Sequence, residues 1–232
     1  MAIATLRQQL GLQTPQVKVL EGHAPDYLAA AQSASADLVK SIKDGTVTAA
    51  QVDSFLQDKL GLLPSSKQQR AHEFLLSKKA WLVSQEGKLE EALQLYDEAL
   101  KIKETPSTWA LKGTALLQLD RPDDAFDAFR KSYSLRQEFG PQQQAYLEDL
   151  LGGWSVAALL RCLSGILEQD AREAEKGAFE YIALLTQAKE DGLEQMVLNL
   201  AVEQPVADDV KAALEELELM ARLLPIKDPF EG

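Results

Sequence analysis

The sequence predicts an all-α chain made of antiparallel helical hairpins stacked between N-terminal and C-terminal capping helices. Three observations predict it. Ala, Leu, Gln, Glu and Lys, which lose least on entering a helix, dominate, while aromatics make up only 6%. Helix starts and stops are marked by capping residues, prolines and glycines at helical intervals. A helix–turn–helix pattern also returns after 33 residues, from Ala92 to Ala125. With 232 residues and 46% hydrophobic content, the chain can fill a sizeable core.

Ala2 to Leu10 reads as a short helix. A second opens near Pro25, runs through DYLAAAQSASADLVKSIK and stops at Gly45. Thr48 and Gln51 form a capping box, after which Val52, Phe55, Leu56 and Leu60 line one face up to Gly61. Ser65 and Gln68 read as a second capping box. The segment DGTVTAAQ has the ring of a calcium loop, but with Gly45 as the sixth position the ligand places fall on Lys40, Ile42 and Gln51. A lysine repels the ion, so the segment is a linker between helices.

From Ser65 the helical period is long and regular. Glu73 to Glu86 forms one helix, Gly87 breaks it, and LEEALQLYDEALKIK forms its return. Ser107 to Leu119 and DDAFDAFRKSYSL repeat the plan around a break at Asp120-Arg121-Pro122. In the first unit Ala80 is the small residue of the first helix, with Ala92, Tyr96 and Ala99 along the second. Trp109, Gly113, Leu116, Ala125, Phe129 and Ser132 take the corresponding places in the next. Small residues let two helices cross closely, and an aromatic fills the gap to the next hairpin. Over about residues 73–139 the pattern resembles the tetratricopeptide repeat. The resemblance implies a short right-handed α-solenoid that holds a partner and does not catalyse.

A longer helix is expected from about Gln142 to Leu167, with Ala171 to Lys189 as its return. Gly152, Gly153 and Trp154 miss the repeat positions, so this third hairpin reads as degenerate. Leu150 to Leu167 carries one charge, Arg161, and is at the short limit for crossing a bilayer, so a buried helix rather than a membrane span is expected. Helices at Gly192 to Val202 and Val206 to Leu224 follow. The last has an apolar face of Val210, Ala213, Leu214, Leu217, Met220, Ala221 and Leu224, as a capping helix requires. The tail after Pro225 has no period and ends abruptly, as a piece of a longer chain would. The expected organisation is an N-terminal helical segment over 1–64 packing on the repeats, a repeat domain over 65–190, and capping helices with a tail over 191–232.

The net charge is −12, and residues 141–232 carry 18 acidic against 7 basic side chains. Such a surface disfavours nucleic acid and steers a basic partner. One cysteine, Cys162, rules out an internal disulfide, and the N-terminus lacks the basic and apolar regions of a secretory signal, so the cytoplasm is the expected compartment. Catalytic equipment is missing from the pattern. His23 and His72 stand far apart, Cys162 sits in an apolar helix, and no phosphate loop or nucleophile motif occurs. Paired carboxylates such as Glu90-Glu91, Asp123-Asp124 and Asp208-Asp209 suit helix N-termini. No enzyme activity, metal or cofactor is expected.

By the resemblance, the inner face of each first helix lines a groove, and the residues there are Ser77, Trp81, Ser84, Gln85, Ala110, Thr114, Leu117 and Gln118. Trp81 either stacks on a partner or packs under the N-terminal helices. The leading expectation is an adaptor, scaffold or assembly factor binding a protein or peptide segment. The family's carboxylate clamp is not matched, since Ser77, Trp81 and Leu111 stand at its positions. An alternative is a helical enzyme or ligand-binding domain with a pocket near Trp154 and Arg161, where the arginine needs an acidic or phosphate partner; pairing with Glu180 is the structural option. Homo-oligomerisation through a repeat edge is a third reading.

Overall fold

The computed structural model describes residues 31–136 and 143–190, with Asp208, residues 211–213 and Glu215. The helices are α1 (Ala36–Lys43), α2 (Ala49–Asp58), α3 (Ser65–Gln85), α4 (Leu89–Ile102), α5 (Pro106–Gln118), α6 (Pro122–Ser134), α7 (Gln143–Leu167) and α8 (Ala171–Glu190). A 3₁₀ turn at Leu60–Leu62 joins α2 to α3, and no strand occurs among the described residues. The helices expected at Ala2 to Leu10 and Gly192 to Val202, the start near Pro25 and the tail after Pro225 lie outside the described residues. The helix expected at Val206 to Leu224 is described at five positions only.

Local chemistry sets the ends. The Thr48 hydroxyl accepts from the Gln51 N–H at 3.3 Å while the Gln51 carboxamide accepts from the Thr48 N–H at 2.9 Å, the reciprocal cap read from the sequence. Two expectations are corrected. The helix read from Pro25 to Gly45 is interrupted at Ser35, whose hydroxyl accepts from the Leu38 N–H at 3.4 Å and starts α1. The capping box at Ser65 and Gln68 does not form, because α3 already begins at Ser65 behind Pro64. The Gln68 carboxamide instead donates to the Leu63 carbonyl at 2.8 Å. Pro106 and Pro122 occupy first turns, where a missing N–H costs nothing.

Consecutive helices pack as hairpins, α3 with α4, α5 with α6 and α7 with α8, and the hairpins join through α4–α5 and α6–α7. The three hairpin turns share one geometry. Gly87, Asp120 and Gln169 adopt positive φ, at 79°, 57° and 58°. The next residue's N–H reaches back five places, Lys88 to Val83, Arg121 to Leu116 and Asp170 to Gly165, at 2.8–3.3 Å. A left-handed residue with this bond ends a helix and turns the chain sharply.

The core falls into two clusters. One runs through α3 to α8 and includes Ala80, Ala92, Tyr96, Ala125, Phe129, Trp154 and Leu163. The other gathers Leu38, Val39, Val52, Phe55 and Leu63 against Ala71, Phe74 and Leu75 of α3. The 21 residues of α3 therefore serve both, Ala71, Phe74, Leu75 and Leu82 one cluster and Ala80, Trp81 and Val83 the other. An ion pair between Lys79 and Asp53 at 2.7 Å reinforces the α2–α3 contact. The apolar run Leu150–Leu167 forms most of α7 and is interior, with Leu150, Leu151, Leu160 and Leu163 at 0% exposure. This is what a core helix requires.

Candidate partner-binding surface

The crossing positions behave as close packing demands. Ala80, Ala92 and Ala125 are fully buried. A Cβ added at Gly113 would stand 2.8 Å from the Phe129 ring, and one at Gly153 would stand 2.7 Å from it, so the ring lies between two bare backbones of α5 and α7. Aligning the three positive-φ turns gives the third hairpin a register that its glycines hide. Cys162 then corresponds to Ala80 and Gly113, Ala174 to Ala92 and Ala125, and Ala178 to Tyr96 and Phe129. All three are buried, and a Cβ at Gly177 would run into the Cys162 backbone. With alanine at the aromatic place, the seam is filled elsewhere. Trp154 packs on Phe126 and Tyr133 with ring centroids 5.4 and 5.6 Å apart.

The eight residues expected on the inner face divide by exposure. Ser77, Ala110 and Leu117 are buried at 0–1% exposure and present nothing to a partner in this arrangement. Ser84 turns inward, donating to the Trp81 carbonyl at 2.7 Å and bonding the Tyr96 phenol, whose pKa is pushed up by burial. Thr114 is half-buried and donates to the Ala110 carbonyl at 3.1 Å. Trp81 and Gln118 are half-buried, and Gln85 is exposed. The Trp81 indole packs against the repeat core, and the Lys78 ammonium sits 4.2 Å from its ring centroid.

Ser77 is drawn in by a buried polar network. The Thr108 hydroxyl lies 2.9 Å from that of Ser77, and Thr108 and Thr105 donate to the Glu73 carboxylate at 2.6 and 2.9 Å. Thr105 also caps α5. The network ties the first hairpin to the second. Burial raises the Glu73 pKa, opposed by the two threonine hydrogen bonds and by the charges of Lys103 and Arg70. A raised folded-state pKa adds stability below the ordinary carboxylate range and loses it as pH climbs through the folded value. Glu73→Gln keeps an acceptor without the charge, so it is expected to raise the urea midpoint at pH 7. The gain shrinks as pH falls and the wild-type carboxyl takes up its proton.

Near Trp154, the Arg161 side chain is 10% exposed and held by three carboxylates: Glu173 at 2.7 Å, Asp123 at 2.9 Å and Glu180 at 3.3 Å. These join α7 to α6 and α8. The adjoining recess is small, about 120 Å³, and Asp123, Glu168, Asp170 and Glu173 line it, so an anionic ligand would meet carboxylates around an occupied guanidinium. A larger recess of about 620 Å³ runs over Lys112, Ala128 and Lys131 and over Trp109 and Leu116, which the sequence marks as repeat positions and not as a surface. Its rim charges are paired internally, Lys112 with Asp97 at 2.6 Å and Arg121 with Asp124 at 2.7 Å. His72 is half-buried on α3, Cys162 is buried, and His23 lies outside the described residues.

Comparison with known proteins matches residues 106–139, spanning α5 and α6, to the tetratricopeptide repeat. No curated protein and no solved structure matches the chain. The hairpin of α3 and α4 carries the same small and aromatic positions 33 residues earlier, and helices without strands pack consecutively throughout the described residues. Residues 106–139 are thus similar to the tetratricopeptide repeat, and the consecutive packing of the described helices is consistent with an all-α helical repeat of that kind.

Proposed function

We propose that the protein is an interaction module, an adaptor or assembly factor, that holds a protein or peptide segment against the face shared by α3 and α5 and performs no catalysis. The observation that carries this reading is the run of Trp81, Gln85, Thr114 and Gln118, which keep solvent exposure at matched places of two successive repeats. An amphipathic indole with amides on either side suits an extended or helical peptide, whose backbone the amides bond while the ring takes an apolar side chain. The acidic C-terminal third favours a basic partner and disfavours nucleic acid. We place this work in the cytoplasm, with homo-oligomerisation left to light scattering.

The test is affinity capture with wild type beside Trp81→Ala, each shown to keep its helix content. Truncating an anchor of this kind weakens binding by roughly ten-fold or more, so specific protein partners should drop out in the variant. Identical protein sets in the two samples, or enrichment of metabolites or lipids alone, would overturn the reading.

A further inference from the structure

The turn between α2 and α3 shows water a leucine that its own fold does not use. Leu62 is 71% exposed, the one exposed large hydrophobic side chain among the described residues. A lone surface leucine ordinarily needs no explanation, but this one is held out by a fixed backbone. The Gln68 carboxamide donates to the carbonyls on either side of it, Gly61 at 3.4 Å and Leu63 at 2.8 Å. The Leu62 N–H donates to the Lys59 carbonyl at 3.0 Å, and Leu63 is buried in the cluster with Phe55 and Phe74. Gly61, Pro64, Ser65 and Ser66 are exposed, so the turn projects as a knob. A backbone pinned in this way has little freedom left to lose on docking.

The recess between α5 and α6 is the matching hole. It encloses about 620 Å³, with buried Leu116 and Ala128 as its floor and half-buried Trp109 beside them. Sites of roughly 300–1,000 Å³ take a drug-sized ligand, so this one takes a short turn of chain and not a whole helix. It is separate from the candidate partner face. Trp109, Lys112 and Leu116 form one row along α5, whereas Ala110, Thr114 and Gln118 form another, nearly opposite at about 3.6 residues per turn.

Charge selects the occupant. Residues 58–70 carry Lys59, Lys67 and Arg70 against Asp58 alone, on a chain whose net charge is −12. Two copies repel in most orientations, and this locally basic turn is the part of one that approaches another at least cost. At the rim of the recess, the Asp124 and Asp127 side chains are 55% and 68% exposed. Their pairs with Arg121 and Arg130 contribute little at such exposure and can exchange partners. We infer that knob and hole join two copies of this chain, the Leu62 turn of one seated over Trp109, Leu116 and Ala128 of the next. The contact is head-to-tail, so it builds a closed ring or an open row. It goes beyond the partner-binding reading and leaves the α3–α5 face free, so Trp81→Ala should not alter it.

The experiment uses two full chains, one with Ser65→Cys beside the knob and one with Ser134→Cys at the recess, both exposed positions. Cys162 is buried, and wild type serves as the blank. The mixture is treated with a short bismaleimide, beside a control mixture of Ser65→Cys with Glu175→Cys, an exposed position on α8. Docked thiols meet at a high effective concentration, so the first mixture should give roughly ten-fold or more of the interchain link, mapped by mass spectrometry. Wild type should also rise above the monomer mass in light scattering as its concentration increases. Adding Leu62→Ser to the Ser65→Cys chain should remove the link and restore the monomer mass with an unchanged melt, because the side chain is exposed. A monomer mass for wild type at every concentration would leave the knob and the recess to partners other than this chain and overturn the inference. So would equal yields in the two mixtures, or a link that survives Leu62→Ser.

Discussion

Phe129→Ala is expected to lower stability by about 3–5 kcal/mol, the range for deleting a buried aromatic ring. The upper part of that range applies here because the ring is fully buried and faces Gly113 and Gly153, neither of which has a side chain to move into the space. Repeat arrays gain stability mainly from contacts between neighbouring units. The loss should therefore appear first at the α5–α6–α7 joint, as faster amide exchange there, along with a lower urea midpoint by circular dichroism. A cost below about 1 kcal/mol, typical of a volume swap that a core absorbs, would mean that the ring does not bridge the second and third hairpins.

The second large effect is a contrast between two glycines of one hairpin. A Cβ at Gly177 would collide with the Cys162 backbone, which has no flexible end to move aside, so Gly177→Ala forces α7 and α8 apart. Overpacking of this kind costs about 1–3 kcal/mol, occasionally more. A Cβ at Gly152 meets nothing within 4 Å, so Gly152→Ala should instead gain roughly 0.5–1 kcal/mol from the lower helix cost of alanine. Thermal melts of the two variants beside wild type should move in opposite directions. Equal shifts would mean that the hairpin crosses elsewhere.

Much of the fold is legible because its punctuation is local. Thr48 with Gln51, Pro106, Pro122 and Gly87 mark ends by chemistry that acts within one turn, and the structure places helix ends there. The register of the third hairpin was hidden because its left-handed turn residue is Gln169 and its small crossing residue is Cys162, neither of which announces its role. A signal was present: Cys162 and Ala174 are spaced as Ala80 and Ala92 are, twelve residues apart. The surface residues were legible as positions and not as exposures. Ser77 reads as a small polar groove residue, but its burial depends on Thr108 and Glu73, contacts between residues more than thirty places apart that periodicity does not report. Arg161 shows the same limit. Its pairing with Glu180 was among the expectations, whereas Asp123 and Glu173 complete the cluster from two other helix starts.

Sharing α3 between two hydrophobic clusters gives the protein a built-in linkage along its length. Melting of α1 and α2 strips the cover from Ala71, Phe74 and Leu75, and the fraying end then lies less than two turns from Ala80 and the first crossing. A ligand gripping Trp81 stiffens the same rod from its other end, so saturation of the repeats should shield the N-terminal helices from proteases that never touch the bound surface.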